Sequence, residues 1–150
     1  MGSRYEGAKG ETRALSALIN LVRAGESVMG RLNGQFSGLA ITQSQFSTLD
    51  ALYHLGPLSQ RELGEKIYKT SGNVTMVVDN LERAGMVRRR RSETDRRRVA
   101  VSLTGKGRKT IRELLPRRVA AIRDEMAGLT AAEQDELRRL CKKLGRRDSR

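Results

Sequence analysis

Between residues 11 and 37 the apolar side chains Leu15, Leu18, Val22, Met29, Leu32 and Phe36 recur at helical spacing, and Leu15, Val22, Met29 and Phe36 stand seven apart. The pattern predicts one long helix with an apolar seam, halted by Gly38. Gly25, Gly30 and Gly34 weaken it by roughly 1 kcal/mol each against alanine. Two capping boxes follow, Thr42-Gln-Ser-Gln45 and Ser59-Gln-Arg-Glu62, in which a hydroxyl accepts from the N3 amide while the N3 side chain reaches back. The first predicted helix carries Phe46, Leu49, Leu52 and Tyr53 and stops at Gly56-Pro57, and the second is short, with Leu63 and Ile67. After Thr70-Ser71-Gly72, Val74, Val77, Val78 and Leu81 mark another helix, with Gly85 in the C-cap place.

Past Gly85 the period falls from 3.6 to 2. Met86-Val87 runs into four arginines, and Val99, Val101 and Leu103 alternate with Ala100 and Ser102. The segment Ser92-Glu93-Thr94-Asp95 between them is rich in turn formers, so a β-hairpin is expected. Thr104 is then expected to cap a long helix bearing Ile111, Leu114, Leu115, Val119, Ile122 and Met126, kinked at Pro116. Thr130-Ala-Ala-Glu133 opens a last helix with Leu137, Leu140, Cys141 and Leu144. The expected fold is mainly α with a small β-hairpin (α+β): two short helices joined as a helix-turn-helix, with long helices on either side. The seams of the flanking helices are longer than the small central unit can cover, which predicts pairing with a second copy.

Composition narrows the partner. Lys and Arg outnumber Asp and Glu 30 to 17, a net +13, which attracts a polyanion. Aromatic residues are only 3% with no Trp, which disfavours base-stacking single-strand binders and favours a duplex. No apolar run is long enough to span a membrane, and the start MGSRYEGAKGE lacks a secretory h-region; with a lone cysteine, a reducing cytoplasm is the expected location. A catalytic triad, a phosphate-binding glycine loop and metal-ligand spacing are all missing, so neither enzyme activity nor a cofactor or metal is expected.

The face of residues 72–83 opposite the valines carries Gly72, Thr75, Met76, Asp79, Asn80 and Arg83, with Asn73 at its edge: a small polar surface suited to a major groove. The stretches PLSQRELGEKI at 57–67, TSGNVTMVVDNLERAGMVRRR at 70–90 and DRRRVAVSLTGKG at 95–107 resemble the MarR family of bacterial transcription regulators, and the likeness covers nearly the whole chain. That resemblance implies a single domain over 1–150, with a winged helix-turn-helix at 42–104 (helix-turn-helix 59–83, wing 86–103) between dimerisation helices at 11–38 and 105–145. It implies a homodimer on a palindromic operator in double-stranded DNA, most simply a repressor released by a small phenolic or aromatic ligand or an oxidant. Lys69 to Arg83 would be the recognition helix, and Arg97 would enter the minor groove with Asp95 holding its guanidinium. The DNA-contacting set is then Ser59, Gln60, Lys69, Thr70, Ser71, Asn73, Thr75, Met76, Asn80, Arg83, Asp95, Arg96, Arg97 and Arg98, and Tyr53 and His54 are the residues expected at an effector pocket. Met76 departs from the Arg or Lys that many members carry there, and can offer only apolar contact such as to a thymine methyl.

Blander readings compete with these. The seven arginines in RRRRSETDRRR could be a solvated edge that deters strand pairing. Beside a helix-turn-helix, DNA contact is preferred. Arg88 to Arg91 alternate faces, so only about half can reach one DNA surface, the others being solvated or paired with acids. His54 reads as a helix C-terminal residue favoured by the dipole, and Cys141 as a small buried residue on an apolar stripe. The alternative function is a sequence-indifferent architectural protein binding nucleic acid through phosphates alone.

Overall fold

The computed structural model describes residues 5–67, 72–95 and 97–146. In chain order the elements are α1 (Lys9–Gly34), α2 (Gln43–Leu55), β1 (Leu58–Ser59), α3 (Gln60–Ile67), α4 (Gly72–Arg83), β2 (Val87–Arg91), β3 (Val99–Leu103), α5 (Gly105–Met126) and α6 (Ala131–Gly145). Two compact units divide them, one of residues 33–117 and one of residues 1–32 with 118–150.

The first unit is built on an apolar core of Ile41, Phe46, Leu49, Leu52, Leu63, Val74, Val77, Val78, Leu81, Val87, Val101 and Ile111. Local signals set its helices. At α2 the Thr42 hydroxyl accepts from Gln45 N at 3.2 Å while Gln45 Oε1 accepts from Thr42 N at 2.9 Å. At α3 the Ser59 hydroxyl accepts from Glu62 N at 3.1 Å and Glu62 Oε2 accepts from Ser59 N at 2.7 Å. Both boxes fill amide donors that a helix start otherwise leaves orphaned. Val74, Val77, Val78 and Leu81 of α4 all point into the core, at 6% exposure or less.

A third strand joins the expected hairpin. Leu58 and Ser59 pair antiparallel with Val101 and Ala100, so β3 is central in the order β1-β3-β2. Two residues carry no periodicity, and this pairing reaches across the intervening helices. β2 pairs with β3 from Val87↔Leu103 to Arg91↔Val99, placing Val87, Arg89 and Arg91 on one face and Arg88 and Arg90 on the other.

The corner from α4 through the sheet to α5 is tightly fitted. Gly85 ends α4 with φ +73°, which a side chain would resist. Thr104 caps α5 by accepting from Gly107 N at 3.1 Å, and its hydroxyl donates to Gly85 O at 2.6 Å. A Cβ on Gly107 would collide with the Met86 carbonyl.

In the second unit, Leu32 and Ala121 are buried, while Leu18, Leu21, Val22 and Met29 of α1, Val119 and Ile122 of α5, and Leu137, Leu140 and Leu144 of α6 are exposed at 38% or more. Arg31 pairs with Glu125 at 2.8 Å. Buried Arg118 donates from Nη1 to the Leu32 carbonyl at 2.7 Å. The α6 box matches expectation, with the Thr130 hydroxyl accepting from Glu133 N at 3.2 Å and Glu133 Oε2 accepting from Thr130 N at 2.8 Å.

Two expectations are corrected. α1 ends at Gly34 rather than running to Ser37, as Phe36 N and Ser37 N turn back onto the carbonyls of Asn33 and Gly34 and Phe36 packs beside Phe46, ring centroids 5.3 Å apart. Cys141 is exposed, because α6 buries no residue within this chain. α5 runs from Gly105 to Met126 with Pro116 inside it.

Gly107→Ala tests the corner. Helix propensity alone would gain about 1 kcal/mol, but overpacking against main chain costs about 1–3 kcal/mol and should win because the Met86 carbonyl is held in place, accepting from Thr104 N at 3.1 Å just before β2 begins. The expected outcome is a lower melting temperature by circular dichroism; an unchanged or higher one would refute the fit.

Candidate nucleic-acid interface

The helix-turn-helix and the wing are both carried by the unit of residues 33–117. With its valine stripe buried, α4 must present the opposite face to solvent. Asn73, Thr75, Met76, Asp79 and Arg83 are exposed there and Asn80 is half-buried; Met76 is 57% exposed, an unusual place for an apolar side chain with nothing to cover it. Arg83 Nη1 donates to Asn80 Oδ1 at 3.4 Å. Lys69, Thr70, Ser71 and Arg96 lie outside the described residues.

Ser59 and Gln60 begin α3. Ser59 is occupied by its capping box, and Gln60 Nε2 donates to Thr75 Oγ1 at 3.1 Å, tying the start of α3 to the exposed face of α4. An open crevice of about 440 Å³ is lined by Ser59, Arg61, Glu62 and Glu65 on one side and Arg97, Arg98 and Val99 on the other, so α3 and the base of the wing tip share a surface. Arg61 pairs with Glu65 at 3.2 Å, and Lys66 is the other cation of α3. The Glu62 carboxyl is held below its usual range by its hydrogen bonds to the Ser59 main chain and hydroxyl, aided by Arg98. Its folded pKa being depressed, its contribution to the α3 start is present at neutral pH and fades only on acidification through that lowered value.

The wing tip is organised by side chains accepting main-chain donors. Ser92 Oγ accepts from Thr94 N at 3.3 Å and from Asp95 N at 3.4 Å, and Ser92 N donates to Arg98 O at 2.8 Å. Asp95 Oδ1 accepts from Arg97 main-chain N at 3.0 Å, and its other oxygen lies 3.8 Å from Arg98 Nε. The expected grip of Asp95 on the Arg97 guanidinium is therefore corrected. The carboxylate shapes the turn at Arg97, and the exposed Arg97 side chain projects without that tether.

The four-arginine strand divides unequally. Arg88, Arg90 and Arg91 are exposed, whereas Arg89 is turned toward α4 with its side chain only 22% exposed, 2.5 Å from Asp79 and 3.1 Å from Glu82. Val87 on the same face shows why: that face of β2 looks into the unit at Val87 and Arg89, and only at the strand's end, at Arg91, does it open to solvent. Sequence reasoning left Arg89 without this destination, although the core-facing parity of Val87 signalled it.

Tyr53 and His54 stack edge to face with centroids 5.2 Å apart. The Tyr53 ring is covered by the Arg108 guanidinium at 5.9 Å, and its hydroxyl accepts from Arg112 Nε at 3.5 Å. His54 Nδ1 lies 3.0 Å from both the Asp50 carbonyl and Asp50 Oδ1, in hydrogen-bond alignment with the former only. Among the described residues no cluster of His, Cys, Asp and Glu could hold a metal ion, and no helix is long and apolar enough to cross a membrane.

A capped helix-turn-helix with its polar face outward and an arginine-rich hairpin beside it defines a winged-helix DNA-binding protein. The MarR family model matches residues 41–99. Over 83% of its length the chain is 33% identical to the HTH-type transcriptional regulator MhqR of Bacillus subtilis, covering 86% of that protein. Among solved structures it is similar to Streptomyces coelicolor Sco3205, a MarR family regulator in complex with DNA, with a TM-score of 0.81, 22% identity and coverage of 98% and 94% of the two chains. It is also similar to Mycobacterium tuberculosis MarR family protein Rv2887 in complex with p-aminosalicylic acid, with a TM-score of 0.68, 30% identity and coverage of 85% and 96%. The chain belongs to the MarR family and is a DNA-binding regulator of transcription; the relatives it matches are regulators rather than enzymes.

If the exposed wing arginines meet phosphates, Arg88→Gln and Arg90→Gln combined should lower the slope of log K against log salt by about 0.9 for each phosphate no longer neutralised. Equilibrium binding measured across a salt series checks this, and an unchanged slope would place that face of β2 away from DNA.

Proposed function

We propose that the protein works as a homodimer in the bacterial cytoplasm, as a repressor that grips a palindromic operator and releases it when a small phenolic or aromatic ligand, or an oxidant, binds or reacts. The observation that carries the dimer is the second unit, where large apolar side chains stand exposed on α1, α5 and α6 alike. Fully burying such a side chain is worth about 1.5–3 kcal/mol, so a face of this kind in water favours covering by a second copy. Two-fold symmetry would then present two α4 helices to successive major grooves about 34 Å apart.

Within each half-site, the polar face of α4 reads the major groove and phosphates are met by exposed cations of α3 and the wing. Arg97, on the turn shaped by Asp95, enters the flanking minor groove, where narrow A·T-rich sequence attracts a guanidinium. Lys69, Thr70, Ser71 and Arg96 complete the set. Effector binding is assigned to the neighbourhood of Tyr53 and His54. The Rv2887 complex with p-aminosalicylic acid supports a small aromatic carboxylate as the type of ligand, and Arg108 and Arg112 beside Tyr53 supply the charge such a ligand needs. A bound form preferring the wrong spacing of the two α4 helices by a few kcal/mol would empty the operator.

Selection from random duplex DNA at physiological salt should yield a palindrome with half-sites one turn apart, and light scattering should give twice the chain mass. Recovery of no preferred sequence would instead support the architectural reading, for which the net charge of +13 is the attraction. Arg97→Ala should weaken operator binding roughly ten-fold, within the 1–3 kcal/mol of a specific contact, while the dimer persists. Unchanged affinity in that variant would remove the wing tip from recognition.

A further inference from the structure

Arg89 is unlike its neighbours on β2. Each of its three side-chain nitrogens is committed within the protein. Nε donates to Gln60 Oε1 at 2.9 Å, Nη1 to Glu82 Oε1 at 3.1 Å and Nη2 to Asp79 Oδ1 at 2.5 Å. Its main-chain N donates to the other Glu82 oxygen at 2.9 Å. Gln60 passes the connection on through its bond to Thr75 Oγ1 at 3.1 Å. One guanidinium thus joins the wing strand to successive turns of α4 and to the first residue of α3.

A phosphate approaching this group would find its strongest donors engaged and two carboxylates alongside, a poor site for an anion. The same two carboxylates, 47% and 42% exposed, would repel DNA from α4 more strongly if the arginine did not offset one of their two charges. From this geometry we infer that Arg89 is a positioning residue of the DNA interface: it holds the wing and the start of α3 in register with α4 and offsets one of the two negative charges of Asp79 and Glu82, while making no phosphate contact itself. The inference rests on the DNA-binding function proposed for this face. Its signature follows from how the two kinds of contact tolerate misplacement. Base-edge contacts need the α4 face and wing held to within a fraction of an ångström, whereas phosphate contacts survive re-aiming of long side chains. Removing Arg89 should therefore erode sequence preference and leave the salt slope intact.

The test is Arg89→Gln in the full chain, with affinities measured across a salt series for the duplex recovered by selection and for a scrambled duplex of the same composition. Expected is a fall of roughly ten-fold in the ratio of the two affinities with the salt slope equal to that of the unmodified protein, since every phosphate-neutralising cation is still in place. A slope lower by about 0.9 would make Arg89 a phosphate contact, and an unchanged ratio would make it dispensable; either overturns the inference. If circular dichroism shows that Arg89→Gln does not fold, Glu82→Gln decides, since it keeps an amide oxygen for the Arg89 main chain but removes the ionic bond. It should lower the ratio at constant slope, and an unchanged ratio would refute the positioning role. An unmodified protein that prefers no duplex over another would overturn the regulator reading itself and this inference with it, an outcome separate from a preference that the two variants leave untouched.

Discussion

The unit of residues 33–117 depends on one strip of small branched side chains. Val74, Val77, Val78 and Leu81 bury themselves among Leu49, Leu63, Val101 and Ile111, and that burial fixes which way α4 faces. Once the strip is inside, Asn73, Thr75, Met76, Asp79 and Arg83 have nowhere to go but outward. Core formation and presentation of the polar face of α4 are one event. A slip of α4 by a single residue, about 100° around its axis, would bury polar groups and expose valines together.

Electrostatics then sorts a very basic surface into parts with different tasks. A net +13 would attract any polyanion, but it does not distinguish among seven arginines in a run of eleven residues. Packing does. Strand parity sends Arg89 toward α4 and leaves Arg88 and Arg90 on the opposite face, and the tip spends Asp95 on the Arg97 main chain and on Arg98. What remains open to a partner is a smaller and more ordered set of cations than the count suggests.

The unit formed by residues 1–32 and 118–150 follows a different logic. Its helices start where their sequence says, with α6 opened by a full capping box, yet no α6 residue is buried and Leu137, Leu140 and Leu144 stand in solvent. Helix formation is local and needs no partner for its hydrogen bonds, whereas stable burial needs an opposing surface. α6 is thus complete in its main chain and incomplete in its packing, the gap that the proposed second copy would fill.

The sequence alone determined everything that rests on near neighbours. Hydroxyl and carboxylate or amide three residues apart mark the starts of α2, α3 and α6, helical spacing marks the stripe of α4, and a change of period at Gly85 marks the hairpin, because each of these interactions closes within a few residues of chain. The tertiary structure alone decided the rest. Leu58 and Ser59 form a strand only because Val101 and Ala100 arrive beside them, and Phe36 leaves the α1 seam for Phe46. Arg89 became a tie between three elements only once Gln60, Asp79 and Glu82 had been brought around it. A guanidinium goes wherever it finds the best set of acceptors, and acceptors far apart in sequence cannot be read from the spacing of residues along a chain.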